Sequence, residues 1–172
     1  MTIAEHLTGL ERVRVAIDQF GLDASIVHPG TPMPTVALAA EAVGCTPDQI
    51  IKTLVFLDER GSTVVAIASG TGRIDRNRLA KAVGAARVKL ASADVVVERT
   101  GYPAGGVSPI GIRDLHAQFV LDQAVLEQSE VYGGAGTEDD LLLVSVCDLL
   151  CISAGLVAAI VDSPPRSQVA DT

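Results

Sequence analysis

The sequence predicts a single domain of the mixed α+β class, and three observations carry the prediction. Its 172 residues are enough for one substantial core and too few for two comfortable ones. Segments whose apolar residues recur at helical spacing are interleaved with short β-branched runs. Aromatic residues make up only 3% of the chain, so Val, Leu, Ile and Ala must build the core, and no aromatic platform for stacking nucleic-acid bases is visible.

Element by element, Leu10, Val13, Ile17 and Phe20 form one face of an amphipathic helix that stops at Gly21. SIVH, residues 25–28, reads as a short strand, and the breaker cluster PGTPMP leads to Thr35 as the N-cap of a helix closed by Gly44. Thr46, Pro47 and Gln49 make a capping-box pattern for one helical turn before the strand IKTLVFLD. The turn at residues 58–61 joins that strand to STVVAIASG as an antiparallel pair. Asp75 caps a helix ending at Gly84; RVKL is a short strand; and Ser92 with Asp94 in the first turn makes SADVVVERT a helix despite its valines. AQFVLDQ and SEVYGG read as strands, LLLVSV as a buried strand or a transition, and DLLCISAG as a closing helix capped by Asp148. Residues 1–161 are expected to form the domain and residues 162–172, without periodicity, a disordered tail.

Composition excludes several function classes. No apolar run is long enough to span a bilayer, and Glu5, Glu11 and Asp18 interrupt the N-terminal stretch where a signal peptide needs continuous hydrophobicity, so a cytoplasmic protein with no membrane partner is expected. Three cysteines, Cys45, Cys147 and Cys151, lack disulfide-scaffold spacing and fit a reducing compartment. A net charge of -8 argues against a broad basic field for nucleic acid and leaves only a local patch.

The unusual stretch is GYPAGGVSPIGI, residues 101–112, with four glycines and two prolines in an otherwise aliphatic chain. Glycine permits close backbone approach and proline fixes φ, so the loop is built to present backbone amides in a set shape. Its reactive side chains are Tyr102 and Ser108, and Ser108 does not sit in a nucleophile-elbow pattern. Lys52, alone in the apolar run QIIKTLVFL, either reaches solvent at a strand end or faces a polar cavity. Cys147 and Cys151 share a helix face but have no second ligand pair, and His6, His28 and His116 lack metal-site spacing. Glu138, Asp139 and Asp140 read as a solvated acidic turn.

The order of these segments, with a lysine after the capped turn, then RTGYPAGGVSPIG, then VYGGAG and a terminal DLL helix, closely resembles the YbaK family of aminoacyl-tRNA deacylases, relatives of the editing domain of bacterial prolyl-tRNA synthetases. The resemblance covers residues 13–159. It implies a compact, partly rolled mixed β-sheet wrapped by helices, with a small pocket for the 3′ end of a mischarged tRNA, and hydrolysis of the ester there with no cofactor and no metal. By similarity, Lys52 lines the pocket, with Gly106, Ser108 and Asp148 beside it as catalytic candidates. Gly105, Val107 and Pro109 of the first glycine loop, Gly133 and Gly134 of the second, His28 and Thr35 are the candidate substrate-binding residues, and Val36, Val107 and Ile110 would set pocket volume. Asp148 is equally a simple helix cap, and Ser108 equally a turn residue. An ester carbonyl is already activated, so a positioned water, or the substrate's own neighbouring groups, with amides stabilising the oxyanion would suffice.

The chain departs from the cysteine-clearing members in lacking a basic run after either glycine turn: IRDLHAQF has only Arg113 as a formal cation, and GGAGTEDD is acidic. Arg73, Arg76, Arg78, Lys81, Arg87 and Lys89 either supply a phosphate-binding patch or form an ordinary charged face. The implied partners are mischarged tRNA and an aminoacyl-tRNA synthetase, with a homodimer as a further expectation. The alternative function is a catalytically silent binding or regulatory module using the same pocket, and a third is hydrolysis of a small ester unrelated to tRNA.

Overall fold

In the computed structural model, which describes residues 6–70 and 72–162, local signals start and stop most elements. The Thr8 hydroxyl accepts from the Glu11 amide while the Glu11 carboxylate accepts from the Thr8 amide, fixing the start of α1 (Gly9–Phe20). Strand β1 (Ala24–Val27) follows one residue earlier than SIVH implied. Thr35 caps α2 (Val36–Val43), and the Thr46 amide donates to Gln49 Oε1 at 3.3 Å around a 3-10 turn over Pro47–Gln49. Strands β2 (Ile51–Asp58) and β3 (Thr63–Ser69) form the expected hairpin, its turn held by Arg60 and Ser62 amides on the Asp58 carboxylate. Asp75 caps α3 (Arg76–Val83), β4 (Val88–Leu90) pairs with β2, and Ser92 caps α4 (Ala93–Thr100).

The C-terminal third brings β5 (Gln118–Asp122), β6 (Glu130–Gly134), β7 (Leu141–Ser145), α5 (Val146–Ile152) and β8 (Val157–Ala158). Three details differ from the sequence reading. A 3-10 turn occupies Gln123–Glu127. The two-residue β8, too short to show a period, pairs in parallel with β5. The cap of the closing helix is Ser145, whose hydroxyl accepts from the Asp148 amide at 3.1 Å, so Asp148 lies inside the first turn rather than at the cap.

Strands β1, β7 and β6 make an antiparallel sheet of order β1-β7-β6. The second sheet, β4-β2-β3-β5-β8, is mixed, because β3-β5 and β5-β8 are parallel. The sheets join at the start of β2, where Ile50 bridges Tyr132 in parallel. This is the rolled mixed sheet the resemblance implied. The main core lies between the sheets under α1, α4 and α5, with Val13, Ile67, Leu121 and Leu142 fully buried, and a second cluster around Leu79 seats α3 on the other face of the larger sheet. Each such Leu or Ile contributes about 1.5–3 kcal/mol. A smaller cluster of Ala39, Ala40, Ile50 and Leu141 holds α2. Buried Asp122 accepts from the Ile160 and Val161 amides and ties down the chain after β8. The Asp162 amide donates to the Arg73 carbonyl at 2.8 Å, so the chain is still fastened there; the rest of the expected tail lies outside the described residues. Among the described residues no helix is long and apolar enough to cross a membrane.

Candidate functional site

A cavity of about 240 Å³ opens where the two sheets meet, bounded by α2, the start of β2 and two glycine turns. Lys52, Thr35, Gly105, Val107, Gly133 and Gly134 all line it, as does Val36. The elements explain the convergence. β2 carries Lys52 to the sheet junction, β6 ends there on its two glycines, and Thr35 arrives as the cap of α2, its hydroxyl accepting from the Leu38 amide at 3.2 Å.

The glycines are there because the two turns touch backbone to backbone. A Cβ on Gly134 would run into the Val107 carbonyl oxygen, and one on Gly106 would stand 2.7 Å from the Thr137 carbonyl. The Gly136 amide donates to the Gly106 carbonyl at 2.9 Å, pinning the turns together. The Gly106 amide donates to the Pro103 carbonyl at 2.9 Å, so this N–H closes a turn. Neither the Val107 nor the Gly105 amide has a hydrogen bond among the described residues. The Ala104 amide, also on the lining, has none either, so the loop places three unbonded amides there.

Lys52 is partly buried; its Nζ donates to the Gly72 carbonyl, and burial holds the amine below the ordinary lysine range. Asp140 is the residue that the sequence reading placed elsewhere. It lines the cavity with a side chain only 16% exposed, accepts from the Thr137 hydroxyl at 2.7 Å and meets His28 Nδ1 at 2.5 Å. Burial pushes its carboxyl up, but the bonds from Thr137 and His28 outweigh this and leave it below the usual carboxylate range. His28 thus reaches the site through Asp140. The acidic triplet EDD resembled any solvated turn; the signal that separates Asp140 is the Thr137 three residues earlier, which captures both its amide and its carboxylate.

Four expected residues stand away from the cavity, and Gly106, whose backbone packs on Thr137, is not on its lining either. Ser108 is fully buried, its hydroxyl accepting from the Ile110 amide at 3.4 Å and hydrogen-bonding Tyr102. Pro109 and Ile110 line a different cleft, of about 550 Å³, between α1, α5 and residues 109–115. Asp148 lines that same cleft, its carboxylate accepting from the Asp23 amide at 2.7 Å to hold the entry to β1. Residues 107–109 lie outside any strand, and the chain passes there from the cavity wall at Val107 to the second cleft at Pro109. Among the described residues no group of His, Cys, Asp or Glu is arranged to hold a metal.

The two-sheet α+β fold is one that solved structures share. The fold superposes with a TM-score of 0.79 on the structure described as "Crystal structure of a putative trans-editing enzyme for prolyl tRNA synthetase", at 30% identity over 90% of this chain and 98% of that one. The model of the aminoacyl-tRNA editing domain family matches residues 30–152, and the chain belongs to that family. The enzyme class expected from the sequence, a hydrolase of the aminoacyl-tRNA ester, stands with this membership. Among named relatives, Bacillus subtilis "Uncharacterized protein YwhH" is 26% identical over 133 residues, 77% of this chain and 83% of that protein. Enterococcus faecalis "Putative Cys-tRNA(Pro)/Cys-tRNA(Cys) deacylase EbsC" is 34% identical over 85 residues, covering 49% of this chain and 52% of the relative.

Proposed function

We propose that the chain acts in trans as an aminoacyl-tRNA deacylase, clearing a small amino acid from a mischarged tRNA that a synthetase, the prolyl enzyme first among them, has released. The observation that carries this reading is the cavity itself. At about 240 Å³ it falls below the 300–1,000 Å³ typical of sites for drug-sized ligands, so it suits the aminoacyl end of a substrate and not a whole nucleotide. Its wall offers amide donors and its lining carries one cation, Lys52, and two carboxylates, Glu138 and Asp140.

Water adds to the ester carbonyl, the Val107 and Gly105 amides receive the developing oxyanion, and the bond to the ribose oxygen breaks as that oxygen takes the proton the water gives up, releasing the amino acid and a free terminal hydroxyl. Asp140, kept ionised by Thr137 and His28, receives the substrate ammonium in a charge-assisted hydrogen bond. Lys52 stands at the mouth as a point charge for the ribose or its phosphate. Positioning carries the catalysis, as befits an ester that needs no further activation.

The test is deacylation of a panel of mischarged tRNAs, including cysteinyl- and alanyl-tRNA for proline, by wild type and Lys52→Ala. Hydrolysis of one member, reduced on the order of a hundredfold in the variant with unchanged folding, supports the reading and names the substrate. A folded wild type inert toward every member overturns it in favour of a binding module.

A further inference from the structure

Lys52 and Leu54 belong to two clefts at once. On one side they line the small cavity; on the other they border an open cleft of about 550 Å³ whose lining also includes Phe56, Arg73, Ile74, Arg76 and Leu90. An aminoacyl ester seated in the first cleft places its ribose near Lys52, and the nucleic-acid strand attached to that ribose must leave across the second.

The second cleft has the chemistry to receive it. Arg73 and Arg76 are exposed guanidinium groups, suited to phosphate, and Leu90 is a large apolar side chain left 50% exposed beside half-buried Leu54, an aliphatic surface for a base. The remaining basic residues of this region are placed differently. Arg78 pairs with Asp75 at 3.5 Å and donates to the Val161 carbonyl at 3.1 Å, and Lys81, Arg87 and Lys89 are not on the cleft lining. The cleft's acids are Asp75 and Asp162. Asp75 is committed to α3, accepting from the Asn77 and Arg78 amides at 2.8 and 3.1 Å with the Arg78 charge beside it, and the lining carries three cations, Lys52, Arg73 and Arg76, against two carboxylates.

We infer that this cleft binds the nucleotide immediately preceding the aminoacylated one, with Arg73 and Arg76 on its phosphodiester and Leu54 and Leu90 against its base. The inference rests on the deacylase reading for its orientation. It also explains how a chain of net charge -8, with acidic text after its second glycine turn, holds a polyanion: two arginines next to the site replace a basic field.

The experiment compares wild type with Arg73→Gln/Arg76→Gln and with Leu90→Ser. The binding probes are an uncharged RNA microhelix with a single-stranded CCA 3′ end and the same helix trimmed blunt, titrated over a range of salt. Because all three residues are exposed, the variants keep the wild-type melting temperature. Wild type is expected to prefer the tailed helix, the double arginine variant to bind it at least tenfold more weakly, and the slope of log affinity against log salt to fall by about 0.7 per lost phosphate contact. Leu90→Ser should weaken binding without changing the slope. Unchanged affinity and slope in the double variant, or no tail preference in wild type, overturns the inference.

Turnover separates this from the parent reading. Aminoacyl-adenosine, which lacks the phosphodiester, should be hydrolysed equally by wild type and the double variant, while KM for aminoacyl-tRNA rises at least tenfold in the variant. A wild type that hydrolyses no aminoacyl-tRNA yet loses tailed-helix binding on arginine replacement sinks the deacylase reading and keeps the cleft. Normal turnover of aminoacyl-tRNA with an unchanged KM in the variant sinks the cleft and keeps the deacylase.

Discussion

At the front of the 101–112 segment, Gly105 and Gly106 meet the second glycine turn across the edge of a cavity; at its back, Gly111 meets Arg12 and Tyr102 inside the core. The two halves look alike as text. In the front half the amides of Ala104, Gly105 and Val107 make no hydrogen bond among the described residues, and all three residues line the cavity. In the back half polar groups are consumed: the Tyr102 hydroxyl donates to the Ile110 carbonyl at 2.6 Å, and fully buried Arg12 donates to the Gly111 carbonyl at 3.4 Å. Burial also raises the Tyr102 phenol far above the ordinary tyrosine range, so this hydroxyl is a permanent donor. The comparison teaches that a glycine-rich loop is read by what each glycine touches. One half borders the cavity, and the other is fastened into the core.

The largest effect is expected from Gly134→Ala. Its Cβ meets the Val107 carbonyl oxygen, and neither backbone can yield without parting the two turns. A loss of about 3 kcal/mol in denaturant unfolding, together with loss of deacylation, is expected; a variant that folds and turns over normally would show that the turns are not interlocked.

Tyr102→Phe breaks only the anchor. The Ile110 carbonyl is left without its buried donor, which costs about 1–3 kcal/mol, while kcat should change by no more than a few-fold once the protein is folded. A kcat loss on the scale of Lys52→Ala, with little change in unfolding, would move Tyr102 from anchor to site.

Asp140→Asn acts on the front half. KM for the aminoacyl substrate should rise about tenfold, equivalent to about 1.4 kcal/mol of lost ammonium binding. The pH dependence carries a sign. Because the folded protein holds this carboxyl below its ordinary range, its contribution to stability is present above about pH 4, where the unfolded chain would ionise, and is lost as pH falls through the depressed folded value. The gap in melting temperature between wild type and Asp140→Asn should therefore close on acidification; a gap that widens would contradict the ionised assignment.

Ser108→Ala should be the mildest, costing about 1 kcal/mol through the Ile110 amide and leaving the rate within about twofold at full folding. A hundredfold slower but equally stable variant would restore Ser108 as a reacting group.

Much of the fold was legible because its signals are local. Thr35, Asp75 and Ser92 cap helices through oxygens two or three residues from the amides they bind, and Gly21, Gly44 and Gly84 end helices by a backbone angle that the residue type itself allows. Asp148 misled because Ser145, three residues earlier, is the better-placed cap, and because its carboxylate finds a partner 125 residues away at Asp23. Strand β8 was invisible since two residues have no period and its pairing partner, β5, is over thirty residues distant. For the site, Lys52 and the paired glycine turns stood out, while Asp140 did not, because a carboxylate in an acidic run shows its burial only after β1 has brought His28 to it.

By itself the sequence determined the order and type of most elements and the presence of one preorganised loop, since caps, turn residues and periodicity act within a few residues. Tertiary structure alone decided which face of that loop lines the cavity, that Ser108 and Asp148 lie away from it and that Lys52 stands between two clefts. Those outcomes depend on contacts between segments far apart in the chain, where a carbonyl oxygen approaching a glycine, and not the residue's own preference, selects the arrangement.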